Sequence, residues 1–158
     1  MKDIFINQYK HFWRTFERIV TDFHEDAWGG TGYALTTPVR LGYHIIQSTK
    51  YYIDDQVPLV YKSGRSISVL SKDLQQADFP TQDDVLFMIQ SLSAKTEKWL
   101  QSIDFSAPNA KYPWTGGSML SVVLFLLRHS QHHLGEMNAL LNEQEQGNGE
   151  DHFAGTLN

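Results

Sequence analysis

The clearest periodic pattern in the chain lies in residues 5–23, which read FINQYKHFWRTFERIVTDF. Its apolar side chains recur at steps of three and four, which places them along one face of an α-helix: Phe5, Tyr9, Phe12, Phe16, Ile19 and Phe23. The pattern predicts an amphipathic first helix from Asp3 to about Phe23. Because such a helix must bury its apolar face against other elements, the rest of the chain has to supply partners.

Three further helices are indicated by start signals and by renewed helical spacing. Each follows a hydroxyl side chain suited to an N-cap, and the first of them also has proline in its first turn. The second of the three caps is followed by an acidic residue three positions on, as in a capping box. The predicted helices cover residues 38–54 after Thr37, a segment from Thr81 to before Pro108, and a segment from Ser118 to about Asn142.

Residues 56–80, between the second and third predicted helices, show no sustained period and contain proline and glycine. We interpret them as a long crossover with a helical turn near Val69–Leu74. Four helices without a strand pattern predict an all-α protein, a four-helix bundle whose crossover argues against simple up-down-up-down order. One domain is predicted over residues 1–142, and residues 143–158 form a polar, loosely held tail.

Composition narrows the classes of function. A chain of 158 residues with a net charge of −5 fits one globular domain and disfavours nucleic acid or an anionic membrane surface as a partner. The absence of cysteine excludes disulfides and thiolate ligands, so a metal ion would need histidine or carboxylate ligands. The N-terminus has no apolar signal segment, and the longest apolar run, Met119–Leu127, is too short to span a bilayer. We therefore expect a cytoplasmic protein.

The fourth predicted helix contains LRHSQHHLGE, residues 127–136. At about 100° per residue, His129 and His133 straddle the centre of its buried face, and Glu136 lies close to them. His132 is offset from the pair, which favours a flanking structural or interface role. An imidazole in a helical core needs partners for two nitrogens, since burying a polar group without one costs about 1–3 kcal/mol.

Two interpretations fit these histidines. Two histidines four positions apart on a helix can bind one metal ion, and His44, on an inward stripe of the second predicted helix, would supply a third ligand. Three neutral imidazoles suit a divalent ion such as Zn, Ni, Fe or Co and leave a coordination position open. Alternatively, the three side chains are core residues hydrogen-bonded to tyrosines and carboxylates of neighbouring helices.

The pattern resembles the DinB-like superfamily, the damage-inducible and YfiT-type metal-binding helical bundles. That family carries one histidine on its second helix and a His-x3-His pair on its last long helix, usually ending His-His-x-Gly-Gln. Here residues 132–136 read HHLGE, so Glu136 replaces the usual glutamine and Leu134 a residue that is often basic. The resemblance covers roughly residues 3–142, and the matching histidines are His44, His129 and His133.

The resemblance implies a tri-histidine site for a divalent ion, above all Zn or Ni, and frequently a homodimer. Characterised relatives look like thiol transferases or isomerases that use a low-molecular-weight thiol, although an open metal site fits hydrolysis equally well. Glu136 is the candidate catalytic residue: it could be a fourth ligand, a partner that orients an imidazole or a general base, and we favour the orienting role. Tyr51, near His44 on the helical wheel, could hydrogen-bond a small-molecule substrate. The alternative function is a non-catalytic metal- or ligand-binding bundle.

Overall fold

The computed structural model describes residues 1–30, 36–54, 58–147 and 152–153. Four long helices dominate these residues and confirm the four predicted helices, and one short helix was not predicted. Their bounds are α1 Lys2–Asp22, α2 Glu25–Trp28, α3 Pro38–Ile53, α4 Gln82–Ser102 and α5 Met119–Gln144.

Two of the three N-caps predicted for the later long helices form a side-chain hydrogen bond in the structure. Thr81 accepts a hydrogen bond from the N–H of Asp84, whose carboxylate accepts one from the N–H of Thr81, so the capping box is complete. Ser118 accepts a hydrogen bond from the backbone N–H three residues on. The Thr37 side chain makes no capping hydrogen bond, so α3 begins through Pro38 in its first turn and through packing.

Helix α1 runs antiparallel to α4 and parallel to α5. A contact near each end of each helix pair fixes the direction. For α1 and α4 these contacts join Lys2 to Gln101 and Phe23 to Gln82, and for α1 and α5 they join Tyr9 to Val123 and His24 to Gln144.

Helix α3 runs antiparallel to α5 and parallel to α4. The contacts that show this are Tyr52 with Phe125 and His44 with His129 for α3 and α5, and Arg40 with Phe79 and Asp54 with Lys95 for α3 and α4. The four long helices therefore follow an up-down-down-up order. Because α3 and α4 are parallel neighbours, the chain between them must return along the bundle, as the predicted long crossover does.

The crossover contains the main departure from the predicted fold class. A β-hairpin pairs β1, Leu59–Val60, with β2, Ser66–Ile67, in antiparallel register. The fold is therefore mostly helical instead of all-α, and strands of two residues are too short to leave a periodic pattern in the sequence. A turn of 3-10 helix at Ser71–Asp73 confirms the helical turn predicted near Val69–Leu74.

The described part of the C-terminal tail packs on the bundle. His152 is 1% exposed, its Nε2 lies 2.6 Å from Asp22 Oδ2, and Phe153 packs against the core. These two residues differ from the loosely held tail that the sequence predicted, because an aromatic pair within a polar segment gives no periodic signal. Among the described residues, every helix is too short or too polar to span a lipid bilayer.

Candidate metal centre

Three histidines from two antiparallel helices meet at the interface between α3 and α5. One ring nitrogen of each lies within 4.8 Å of the other two, and Nε2 of His44 is 3.0 Å from Nε2 of His129. The ring of His133, one turn further along α5, lies 4.6 Å from each of the other two rings, centre to centre. The structure therefore brings together the three residues that the sequence predicted as metal ligands.

The spacing of the His44 and His129 nitrogens fits a shared divalent ion. Imidazole nitrogens that bind one such ion at about 2.0–2.1 Å are about 2.9–3.4 Å apart, from right-angled to tetrahedral coordination. The 3.0 Å between His44 and His129 falls within this range. The same distance also permits a hydrogen bond between the two rings, which is the arrangement that the packed-histidine interpretation requires.

The environment of the cluster favours the neutral form of His44 and His129. Burial, together with the neighbouring His133 and His129, lowers the pKa of His44 to about 4, against an opposing effect of Glu136. Burial, with His133 and His132, also lowers the pKa of His129. Because a metal ion binds the neutral imidazole, these side chains are ready to bind one at pH 7 without first losing a proton.

Two of the three rings are held from behind by an oxygen atom. Ser71 Oγ, from the crossover, lies 3.0 Å from His44 Nδ1, and Glu136 Oε2 lies 2.7 Å from His133 Nδ1. Contacts of this kind fix the tautomer and the ring orientation, and they raise the basicity of the nitrogen that faces a metal. Glu136 is thus placed as an orienting partner of an imidazole, and its role as a general base stays a prediction.

His132 lies outside this cluster, although it also approaches Glu136. Its side chain is 68% exposed, and its Nε2 is 3.7 Å from Glu136 Oε1. With His133 and Glu136 it forms a second group of potential ligand atoms, more exposed than the first. This position agrees with the flanking role predicted from its direction on the helical wheel.

Ser48 is a polar residue of the site that sequence reasoning missed. It lies one turn after His44 on α3, and its Oγ is 3.5 Å from His44 Nε2 and 3.3 Å from His129 Nε2. A hydroxyl between two potential ligands is well placed to donate a hydrogen bond to a group bound beside them. The available signal was its position four residues after His44, but serine is too common on helices to stand out.

A cavity of about 590 Å³ adjoins the cluster and gives His44 and His129 access to a small molecule. Residues of α3, α5 and the crossover form its walls, and Tyr51 is among them, at a position where it can contact a ligand. The ring of Phe125, also in the wall, stacks on the His129 imidazole with 5.7 Å between centres and 9° between planes. The histidine cluster is therefore beside a pocket instead of sealed in the core.

Comparisons with models of known protein families, with curated protein sequences and with solved structures found no match. What the structure establishes is a helical domain in which His44, His129 and His133 form a group that could hold a metal ion. Membership of the DinB-like superfamily, the homodimer, the cytoplasmic location and the absence of nucleic-acid or membrane partners stay predictions.

Proposed function

We propose that the protein is a divalent-metal-dependent enzyme of the DinB-like type, with His44, His129 and His133 as ligands of the ion. The observation that carries the proposal is the convergence of three imidazoles, two of them with lowered pKa values, beside a cavity. Catalytic metal sites have three protein ligands and one position for water or substrate, whereas structural sites are closed. The cavity gives that position its access.

Three nitrogens without a thiolate suit Zn or Ni, with Fe or Co as further candidates. When bound, the ion would lower the pKa of a water molecule or of a small thiol. The protein's own contribution is to orient the imidazoles through Ser71 and Glu136 and to offer the Ser48 hydroxyl as a hydrogen-bond donor.

The reaction class we propose is transfer of a low-molecular-weight thiol to an electrophilic small molecule. The thiol loses its proton to solvent water, its sulfur forms a bond to the electrophilic carbon, and a leaving group departs from that carbon with the bonding electron pair. Support comes from the size of the cavity, which is within the range of pockets that hold small-molecule ligands. The resemblance of the histidine pattern to DinB-like proteins favours this class over hydrolysis.

A second candidate function is a non-catalytic bundle that binds a metal ion or a small ligand at the same site. It is favoured by the chemistry of the cavity wall, since none of the described residues that line it is a carboxylate. Glu136 is hydrogen-bonded to His133 and is not among those residues. A general base next to a bound substrate is therefore not evident in the described part of the chain.

Metal analysis of untagged protein tests the proposed site. We expect about one ion per chain by plasma mass spectrometry in the wild type, and loss of that ion in His44→Ala, His129→Ala and His133→Ala. The matched control is His132→Ala, which removes an exposed histidine next to the cluster and should retain the ion. Substoichiometric metal after loading with Zn or Ni, or metal that ignores the three substitutions, would instead favour packed core histidines.

Turnover separates the two candidate functions. Metal-loaded protein is mixed with several small thiols and a model electrophile, and thiol consumption is followed with a thiol-reactive dye. The proposed enzyme consumes thiol only when loaded, and His129→Ala abolishes the rate. Full metal content without turnover for any pair would favour the non-catalytic bundle.

A further inference from the structure

The cavity beside the histidine cluster has a polar end and an apolar end. The polar end consists of His44, His129 and the Ser48 hydroxyl between them. The rest of the wall is largely aliphatic and aromatic and comes from α3, the crossover and α5. Its aromatic and aliphatic residues include Tyr51, Tyr52, Leu59, Ile67, Leu70 and Phe125.

The cation in the described wall of this cavity is in an ion pair, and its partner carboxylate is shared with a second lysine. Lys50 is the one cation among the described lining residues, and its Nζ lies 2.8 Å from Asp54 Oδ2. The Lys50 side chain is 11% exposed, and Lys95 donates to the same carboxylate oxygen at 2.6 Å. An anionic group entering the cavity would therefore compete with Asp54 for Lys50, and it would meet no second cation in the described wall.

The amide in the wall is also engaged. Gln47 Nε2 donates to the carbonyl oxygen of Val69 at 2.6 Å, and Gln47 Oε1 accepts from the N–H of Ser71 at 3.2 Å. Its hydrogen bonds hold the crossover against α3 and are not free for a ligand. The Tyr52 hydroxyl accepts a hydrogen bond from Trp114 Nε1 at 3.0 Å. Away from the histidines, the described wall therefore mainly offers apolar contact, together with the hydroxyl groups of Tyr51, Tyr52 and Ser68.

We infer that this cavity binds a ligand with one metal-ligating head group and an uncharged apolar body of about one or two aromatic rings. The inference rests on the proposed function, because the head group needs the ion, and it deepens that function by naming the class of substrate. An apolar cavity of about 150 Å³ already holds benzene, so the larger cavity here has room for such a body. Thiols or electrophiles with several carboxylates are poor fits, because each carboxylate would compete with Asp54 for Lys50, the one cation among the described lining residues.

The test uses three hydroxamic acids that share one metal-ligating head. They are acetohydroxamic, benzohydroxamic and 4-carboxybenzohydroxamic acid, titrated into zinc-loaded protein by calorimetry. We expect benzohydroxamic acid to bind at least about fivefold more tightly than acetohydroxamic acid, since its ring is buried against apolar walls. The added carboxylate should weaken binding again by at least about fivefold.

A matched pair of leucine variants tests whether the apolar part of the ligand lies against the cavity wall. Leu70 lines the cavity and is 54% exposed, whereas Leu124 on α5 is 50% exposed and does not line it. Leu70→Ser should reduce the preference for the benzo compound over the aceto compound at least about twofold, since it removes apolar contact area. Leu124→Ser, an equally exposed leucine, should leave that preference unchanged.

The outcomes separate this inference from the proposed function. The protein could hold one zinc ion per chain and yet bind the three hydroxamates equally, or bind the carboxylated one most tightly. Either result would overturn the apolar ligand class but would leave the proposed metal site intact. The second arm titrates 2-naphthol, followed by its fluorescence, into protein treated with a chelator. Binding that weakens in Leu70→Ser supports the apolar class even if the protein holds no ion, whereas absence of binding overturns it.

Discussion

The two antiparallel helix pairs of the bundle, α1 with α4 and α3 with α5, differ in what they bury. On α1 the rings of Phe12, Trp13 and Phe16 pack against one another, with 5.0 Å between the first two centres and 6.0 Å between Phe12 and Phe16. The interface of α3 with α5 instead contains three imidazoles, and the cavity of about 590 Å³ beside it is larger than the cavity of about 360 Å³ between α1 and α4. Apolar burial stabilises a fold, whereas buried polar groups and unfilled space reduce stability.

The difference indicates that the two helix pairs of this small domain have different roles, one in stability and one in binding. The α1–α4 pair supplies stability that does not depend on any ligand, and this permits the α3–α5 pair to keep a polar cluster that is costly when nothing binds it. Substitutions in the first pair should therefore affect unfolding, and substitutions in the second should mainly affect binding.

Removal of a fully buried ring from α1 should give the largest effect on stability. Phe16 is 0% exposed, so Phe16→Ala leaves a cavity in the core and should lower the free energy of unfolding by about 3–5 kcal/mol in urea titrations. The control is Phe87→Ala on α4, which removes a ring that is 43% exposed and should cost far less. If folded Phe16→Ala protein lost its metal, the two pairs would not be independent.

Removal of the Glu136 carboxylate, which orients His133, should give an intermediate effect, and it should change metal affinity and not stability. Glu136→Ala leaves His133 Nδ1 without its partner and should weaken metal affinity about 10–100-fold in competition with a chelator. Glu136→Gln retains an oxygen that can accept the hydrogen bond and should lose much less. Unchanged affinity with lost turnover in both variants would instead identify Glu136 as the general base.

Acidification should give the smallest of these effects, a decrease in the free energy of unfolding. The decrease should come from His44 at the interface of α3 with α5. The folded-state pKa of His44 is about 4 against 6.5 for an ordinary histidine, so between these values the unfolded chain binds a proton that the folded chain does not. Stability is therefore retained above pH 6.5 and is lost as the pH falls toward 4. For metal-free protein we expect about 1 kcal/mol less unfolding free energy at pH 5 than at pH 7, after allowance for solvent screening.

A substitution of His44 tests whether this loss of stability at low pH comes from the histidine cluster. His44→Leu should have a smaller difference in urea stability between pH 7 and pH 5, whereas His24→Leu, at a side chain that is 68% exposed, should retain the wild-type difference. Equal pH dependence in all three proteins would contradict the assignment to His44.

The helices could be predicted because their signals are local. The capping box of Thr81 and Asp84 and the cap of Ser118 lie within one turn of the helix ends that they stabilise. The hairpin and the short helix α2 were missed because elements of two to four residues carry no period. Residues 28–32 read WGGTG, which predicts a loop after the first helix, and residues 31 and 32 of that loop lie outside the described residues.

For the site, the sequence could predict only the direction in which a side chain points from its own helix. His129 and His133 are four positions apart on α5, and His44 follows the inner stripe of α3, so their direction could be read from the sequence. Ser71 could not be found in this way, because it reaches His44 through the path of the crossover over α3. The cavity depends on that same path, which no periodic pattern specifies.

The separation of the ligands along the chain has a consequence for kinetics. His44 and His129 are 85 positions apart, so their nitrogens meet only after α3 and α5 have docked. An unfolded chain offers an ion only ligands that are close in sequence, such as the histidines and Glu136 of residues 129–136. Interactions that are absent from the folding transition state mainly change the rate of unfolding. A bound ion should therefore leave the refolding rate almost unchanged and prolong the lifetime of the native state.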